Sequence, residues 1–260
     1  MSEAKRESAP AVARALEILE FLAATGGSVR MSDLAGQLGM PKSSTHHVLS
    51  ALLDAGWLER EPTTKEITLG LRAWEVGQAY DAAQTLSQRA QPFIDAVRDE
   101  LGETVRLAIL SEHDNVCIAK STGLHTLVFD QRVGARLPAH ATGLGKALLA
   151  GLSPAQIGER YQDYAFEPFT ENTLVSVEAL ENDLAQIRER GWADDNGEFI
   201  LGIQCIALPV RSRTGDVLAA ISVSVPSARF DQEHQEKTTV LLTQAAAALS
   251  ERLSSGVARS

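Results

Sequence analysis

Three short helices followed directly by a β-hairpin are the pattern that most constrains the fold of this chain. Residues 11–24 carry apolar residues three and four positions apart, which predicts a helix that ends at two glycines. A second helix is expected over residues 32–38 and a third over residues 41–55, with Gly39 in the turn between them. Two short helices joined by such a turn are the outline of a helix-turn-helix.

The third helix is predicted to have two unlike faces. Its packing side, which should contact the first two helices, holds Thr45, Val48, Leu49 and Leu52. Its polar side holds Ser43, His46, His47 and Ser50. A recognition helix in a DNA major groove needs such a short polar face near its N-terminus. A solvated face on a small helical bundle is the alternative that this pattern leaves open.

The segment after this helix predicts a β-hairpin. Residues 57–60 and 66–69 alternate apolar and polar side chains and are separated by a turn that contains proline. A hairpin directly after a helix-turn-helix is a wing, and Arg60 and Lys65 are placed there to contact phosphate. The sequence therefore predicts a winged helix-turn-helix over residues 1–70.

The charge of the chain limits how it can bind nucleic acid. The net charge is −10, and a division at residue 75 leaves an acidic excess in both parts. Any contact with DNA must therefore come from a locally organised surface. Two cysteines, Cys117 and Cys205, suit a reducing cytoplasm, and no apolar run is long enough for a membrane helix. We expect a cytoplasmic protein.

The remainder of the chain mixes helices and strands. We expect a linker helix over residues 71–86 and a second domain over residues 87–260. The predicted helices of that domain are residues 92–101, 144–150, 153–162, 176–190 and 232–253. Its predicted strands are residues 104–110, 116–120, 127–129, 205–210 and 217–225. This order predicts an α+β domain with an antiparallel sheet covered by helices.

Two strands of this domain predict the floor of a pocket. Alternation along residues 217–225 places Val217, Ala219, Ile221, Val223 and Val225 on the core face. The opposite face carries the small residues Ala220, Ser222 and Ser224, and the strand at 205–210 adds Cys205 and Ala207. Small side chains leave space, and hydroxyl groups offer hydrogen bonds to a ligand. A half-exposed sheet face is the alternative.

A glycine-rich segment, Gly143-Leu144-Gly145-Lys146, adds a second candidate feature. It is not a phosphate-binding P-loop, because His140 and Ala147 occupy the positions that need glycine and Ser or Thr. Free N–H groups where this segment starts a helix would attract a carboxylate or another anion. A tight turn explains the glycines equally well.

Several segments together resemble the isocitrate lyase regulator (IclR) family of bacterial transcriptional regulators. In the N-terminal third they are residues 14–19, 41–46 and 69–70. In the second domain they are residues 137–146, 202–210 and 219–226. The resemblance covers nearly the whole chain. One departure is His47, where the family usually has Arg, a strong ligand of phosphate or guanine.

The resemblance implies a repressor with a GAF-like α/β effector-binding domain. It implies a homodimer or homotetramer on a pseudo-palindromic double-stranded DNA operator, with a small organic effector such as a carboxylate and no cofactor. The candidate DNA-binding residues are Lys42, Ser43, Ser44, Thr45, His46, His47, Ser50, Arg60 and Lys65. The candidate effector-binding residues are Leu137, Gly143, Leu144, Asp195, Ile203, Cys205, Ser222 and Ser224.

An enzyme acting on a small acid or amide is the second hypothesis, with Cys205 as nucleophile and His140 as base. No Gly-x-Ser-x-Gly motif is present. A metal site built from His113, Cys117, His125 and His140 would match no structural zinc spacing. We therefore expect a regulator without catalytic residues or a bound metal.

Overall fold

The structure is a computed structural model that describes residues 9–124 and 131–255. It divides into two compact units, Met1–Asp81 and Ala82–Ser260. The strand predicted at residues 127–129 lies outside the described residues, as does His125. Among the helices of the described segments, none has the length and apolar character required to cross a bilayer.

The N-terminal unit begins with the three predicted helices: α1 (Pro10–Thr25), α2 (Met31–Gln37) and α3 (Lys42–Asp54). A three-stranded antiparallel sheet, in the order β1-β3-β2, is built from β1 (Val29–Arg30), β2 (Leu58–Arg60) and β3 (Glu66–Leu69). The core of the N-terminal unit contains six almost fully buried residues from its helices and strands: Ile18, Leu22, Leu34, Leu49, Leu58 and Ile67. The predicted winged helix-turn-helix is confirmed, and the two-residue β1 is an addition to it.

Gly70 ends the wing at a point where two backbone segments meet. Its N–H donates to the Trp57 carbonyl at 2.8 Å. A Cβ at this position would lie 2.3 Å from the Gly56 carbonyl oxygen, so only glycine allows this approach.

The helical region after the wing differs from its prediction. Helix α4 (Leu71–Gln78) ends before the expected limit at residue 86, and α5 (Asp81–Leu101) starts well before the expected residue 92. Helix α5 continues through Pro92 because Ala90, Ile94 and Val97 share one face that is buried in the core of the second unit. Burial of this face outweighs the loss of one backbone hydrogen bond at proline.

In the described part of the second unit, six strands form an antiparallel sheet in the order β6-β5-β4-β9-β8-β7. Its strands are β4 (Thr104–Ser111), β5 (Asp114–Ser121), β6 (Arg136–Pro138), β7 (Ala193–Asn196), β8 (Ile203–Arg211) and β9 (Val217–Pro226). Its helices after α5 are α6 (Gly143–Leu149), α7 (Pro154–Tyr161), α8 (Val177–Arg190) and α9 (Gln232–Ser255). The predicted α+β class is confirmed.

The sheet separates two apolar layers. One face packs on α5 and α9 through residues such as Val105, Leu107 and Val223. The other face packs on α6, α7 and α8 through the small residues Ala108, Ala207 and Ala220, among others. The alternation predicted for β9 is observed from Ala219 to Val225, and the face with small side chains is the one that carries the candidate pocket. Val217 is a correction: it packs on the opposite layer, because the pairing of β8 with β9 shifts register at Val210 and Arg211.

Candidate functional site

Helix α3 presents the polar face that a recognition helix requires. Ser43, His46 and His47 are exposed, while Ser44 and Ser50 are half-buried. Lys42 is the first residue of the helix. Among the described side chains, none caps the helix start, and no acidic residue lies in its first turn. The free N–H groups and the positive end of the helix dipole therefore remain available to a DNA phosphate.

Thr45 is a correction to the candidate DNA contacts. Its side chain is only 1% exposed, and its hydroxyl donates to the Pro41 carbonyl at 3.0 Å. This residue lies on the packing side of α3, as the helical spacing itself predicts. Its side chain therefore stabilises the helix start and is not available to DNA.

The wing has two exposed cationic side chains and two carboxylates that accept hydrogen bonds from neighbouring residues. Arg60 and Lys65 are exposed, and a guanidinium nitrogen of Arg60 lies 2.8 Å from the Met31 sulfur. Glu59 accepts from the Leu71 N–H at 3.1 Å, and Glu66 accepts from the Ser28 hydroxyl. Local hydrogen bonds thus hold two carboxylates of an acidic segment in fixed positions.

The second unit contains a cavity with an open mouth on the small-residue face of the sheet. The eight candidate effector residues all line it: Leu137, Gly143, Leu144, Asp195, Ile203, Cys205, Ser222 and Ser224. The strands β7, β8 and β9 supply one wall and the start of α6 supplies another. A buried space with apolar walls and a few polar groups is typical of a small-molecule site.

The start of α6 is built so that it can lie close to the sheet. Thr142 caps the helix by accepting from the Gly145 N–H at 3.2 Å. A Cβ at Gly145 would lie 2.2 Å from Ala139, whereas a Cβ at Gly143 would lie 3.4 Å from the Cys205 Cβ. Gly145 is therefore required by packing, and the space at Gly143 belongs to the cavity.

Six further residues line the cavity and were not among the predicted set: Arg106, Asn115, Gln131, Thr142, Phe199 and Ile200. Arg106 is the most informative, since it is only 3% exposed. In the sequence it alternates with Val105 and Leu107, which face the opposite core. A charged residue between two core positions of a central strand is the signal that could have identified it.

A buried charge network lies behind the cavity. The Lys146 ammonium is 2.5 Å from a Glu198 carboxylate oxygen and 3.0 Å from one of Asp183. Burial disfavours the charge on Lys146, but the two carboxylates outweigh burial and raise its pKa. Burial raises the pKa of Asp195 to about 6, against the opposing effects of the Glu198 N–H, which it accepts at 2.7 Å, and of Lys146.

The structure does not support the enzymatic alternative. Burial and the nearby Asp195 raise the pKa of the Cys205 thiol to about 12, and this thiol donates to the Ser224 hydroxyl. His140 does not line the cavity; it is buried against the rings of Tyr164 and Phe166, and burial lowers its pKa. The described residues contain no cluster of His, Cys, Asp or Glu suited to a metal ion.

A winged helix-turn-helix with an open recognition face and a second unit with a buried cavity together define a ligand-responsive DNA-binding regulator. Two family models match the chain: the IclR helix-turn-helix domain at residues 11–62 and the bacterial transcriptional regulator IclR C-terminal domain at residues 78–251. The chain belongs to the IclR family of bacterial transcriptional regulators, which confirms the resemblance in the sequence.

Similar proteins agree with this assignment. The transcriptional repressor IclR of Escherichia coli K12 is 33% identical over 257 residues, with 94% of each chain covered. The crystal structure of Thermotoga maritima IclR matches with a TM-score of 0.74 and 27% identity, covering 93% of this chain and 98% of that one. An IclR homologue from Microbacterium hydrocarbonoxydans, crystallised with 4-hydroxybenzoate, matches with a TM-score of 0.79, 27% identity and the same coverage.

Proposed function

We propose that this protein is a repressor that binds a pseudo-palindromic operator as a dimer or tetramer and responds to a small organic carboxylate. The observation that carries this proposal is the combination, in one chain, of an exposed polar recognition face on α3 and a buried cavity lined by the candidate effector residues. Because the target is DNA, the proposal places the protein in the cytoplasm.

On DNA, α3 enters the major groove and the wing contacts the backbone. His46 and His47 read base edges, while Ser43, Ser50 and the helix start contact phosphates and neighbouring groups. The candidate backbone contacts outside this face are Lys42, Ser44, Arg60 and Lys65. This arrangement suits an acidic protein, because it needs positive potential only at one helix end and one hairpin.

Self-association is supported by an exposed apolar surface in the N-terminal unit. Leu71, Trp74 and Val76 on α4, and Tyr80 just after it, are all more than half exposed. Large exposed apolar side chains concentrated in one short segment are typical of protein contacts, and a second copy of the chain is the partner that we propose. Two copies would present two recognition helices, as a pseudo-palindromic operator requires.

The cavity functions as a binding site without catalysis. A protonated Cys205 thiol and the absence of His140 from the cavity walls argue against a nucleophile and base pair there. Carboxylate binding is supported by the buried Arg106 and by the Microbacterium homologue crystallised with 4-hydroxybenzoate, a small aromatic carboxylate. Effector and operator affinities must then be coupled reciprocally.

The test of the DNA-binding role is the double substitution His46→Ala and His47→Ala. Loss of two base contacts should weaken operator binding at least about tenfold, because each good contact contributes roughly 1–3 kcal/mol. The unfolding temperature should stay unchanged, since both side chains are exposed. His234→Ala, which removes a half-buried histidine from α9 in the second unit, is the control for loss of a histidine outside the recognition face. Unchanged operator affinity in the double variant would contradict the proposal.

A further inference from the structure

Arg106 is a buried cation whose hydrogen-bonding capacity is only partly used. Its Nη1 donates to the Ser224 hydroxyl at 3.0 Å. Its Nε and Nη2 are buried and have no hydrogen-bond partner among the described residues. The residue lines the cavity, on the same face of the sheet as Ser222 and Ser224. Two donors of one guanidinium therefore remain open at the wall of the cavity.

The two open donors have the geometry that binds a carboxylate. Nε and Nη2 lie on one edge of the planar guanidinium, and this edge pairs side-on with the two oxygens of a carboxylate. A buried cation without an anionic partner is strongly unfavourable, so an anion at this position would gain affinity from satisfying it. Glu103, three residues before Arg106, pairs with Arg229, and Asp195 of the cavity lining accepts the Glu198 N–H.

A second polar group of the cavity, the side-chain amide of Asn115, has an unused hydrogen-bond acceptor. The Asn115 amide nitrogen donates to the Leu137 carbonyl at 3.1 Å and to the Thr142 hydroxyl at 2.8 Å. Since a carbonyl oxygen can only accept, these contacts fix the orientation of the amide. The Asn115 Oδ1 is then left buried without a partner, as an acceptor that needs a donor.

The residues that carry these two groups are separated along the sheet. Asn115 of β5 pairs with Leu110 of β4, which is four residues from Arg106 on the same strand, or about 13 Å at the usual rise per residue. The apolar side chains that share the cavity lining are Leu137, Leu144, Phe199, Ile200 and Ile203. The lining thus offers a cation, an apolar wall and a separate hydrogen-bond acceptor.

We propose that Arg106 and Asn115 select a hydroxylated monocarboxylic acid with an apolar body. The carboxylate pairs side-on with Nε and Nη2 of Arg106, and the hydroxyl at the other end of the ligand donates to the Asn115 Oδ1. This inference rests on the proposed effector-binding function and adds to it the chemical class of the effector and the two residues that read its ends.

The test on the wild-type protein compares matched ligands by calorimetric titration of the full chain. The first set is 4-hydroxybenzoate, 4-hydroxybenzamide and benzoate; the second is 4-hydroxyphenylacetate, its amide and phenylacetate. Within a set, the hydroxy acid should bind at least about tenfold more tightly than the neutral amide. It should bind several-fold more tightly than the acid without the hydroxyl group. An amide that binds as tightly as its acid overturns the proposal.

Substitution separates the role of Arg106 from a structural one. Arg106→Met keeps the length of the side chain and removes the charge, so the preference for the acid over its amide should disappear. Arg106→Lys keeps the charge without the paired donors and should retain part of the preference for the acid over its amide. Arg211→Met, an exposed arginine on β8, is the matched control and should bind as wild type does. Undiminished acid affinity in Arg106→Met overturns the proposal.

Operator binding, measured on the same samples, distinguishes this inference from the proposed function. Operator binding without binding of any acid in either set overturns the inference and leaves the DNA-binding role intact. Acid-selective binding without operator binding contradicts the proposed function while the ligand class stands. Should Arg106→Met fail to fold, the comparison of acid with amide in the wild-type protein decides alone.

Discussion

Two glycines at the start of α6 should respond in opposite ways to the same added methyl group. At Gly143 a Cβ would lie 3.4 Å from the Cys205 Cβ, 3.6 Å from the Asp195 Cβ and 3.7 Å from the Ala207 Cβ. These are ordinary van der Waals distances at the cavity wall, so Gly143→Ala should fold without strain. The methyl group should instead occupy space that the effector needs.

The expected magnitudes follow from these distances. Gly143→Ala should raise the free energy of unfolding by up to about 1 kcal/mol, because alanine restricts the unfolded chain. For a unit of this size that is roughly 2–4 °C in the unfolding temperature. Effector affinity should fall at least about tenfold, equivalent to about 1.4 kcal/mol. Gly145→Ala places its Cβ 2.2 Å from Ala139 backbone atoms and should lose about 1–3 kcal/mol by overpacking.

The assay is calorimetric unfolding of both variants, followed by titration with the acid of the two sets above that binds wild type most tightly. Gly145→Ala serves as the control for a methyl group added to the same helix outside the cavity. Destabilisation of Gly143→Ala as large as that of Gly145→Ala would contradict the open space at Gly143. Binding of the acid by Gly143→Ala as tight as by wild type would contradict a ligand at this wall of the cavity.

Two further predictions concern the buried charges behind the cavity. Lys146→Met leaves the Glu198 carboxylate buried without its cation and should lower the free energy of unfolding, measured by chemical denaturation, by about 3–5 kcal/mol. The double variant that adds Glu198→Gln should recover part of this loss. Additive losses in the double variant would contradict the pairing of Lys146 with Glu198. Burial raises the pKa of Asp195 from 3.8 to about 6, so between these values the folded protein keeps a proton that the unfolded chain has lost. The free energy of unfolding should therefore fall by at most about 3 kcal/mol as the pH rises from 4 to 6. Asp195→Asn should lack this decrease; an identical pH profile in variant and wild type would refute it.

The central elements of the fold were predictable because each carries a periodic pattern of its own. In β9, Val223 and Ser222 alternate between two faces that the structure buries against different layers. The edge strands β6 and β7 were not predicted, since three or four residues are too short for a pattern. The break between α4 and α5, and the passage of α5 through Pro92, depend on tertiary burial that local sequence does not contain.

Strand alternation alone indicated Cys205, Ser222 and Ser224, whereas the other candidate cavity residues came from the family resemblance. Their common location is a result of strand pairing. Arg106 was missed because a single charged residue in a strand reads as solvent-facing unless the opposite layer is known. Its closeness to Ser224 follows from the antiparallel register of β4 and β9, in which Arg106 pairs with Ser222. Thr45 shows the reverse error, because its polar side chain suggested DNA contact while its position on α3 required burial.

The most direct test of the central claim is fluorescence-anisotropy binding of the purified protein to the DNA upstream of its own gene, in a salt series and against a scrambled fragment. We expect binding at least about a thousandfold tighter to the upstream DNA than to the scrambled fragment, with an affinity that falls steeply as salt rises. Equal binding to both fragments, or no binding to either, would contradict it.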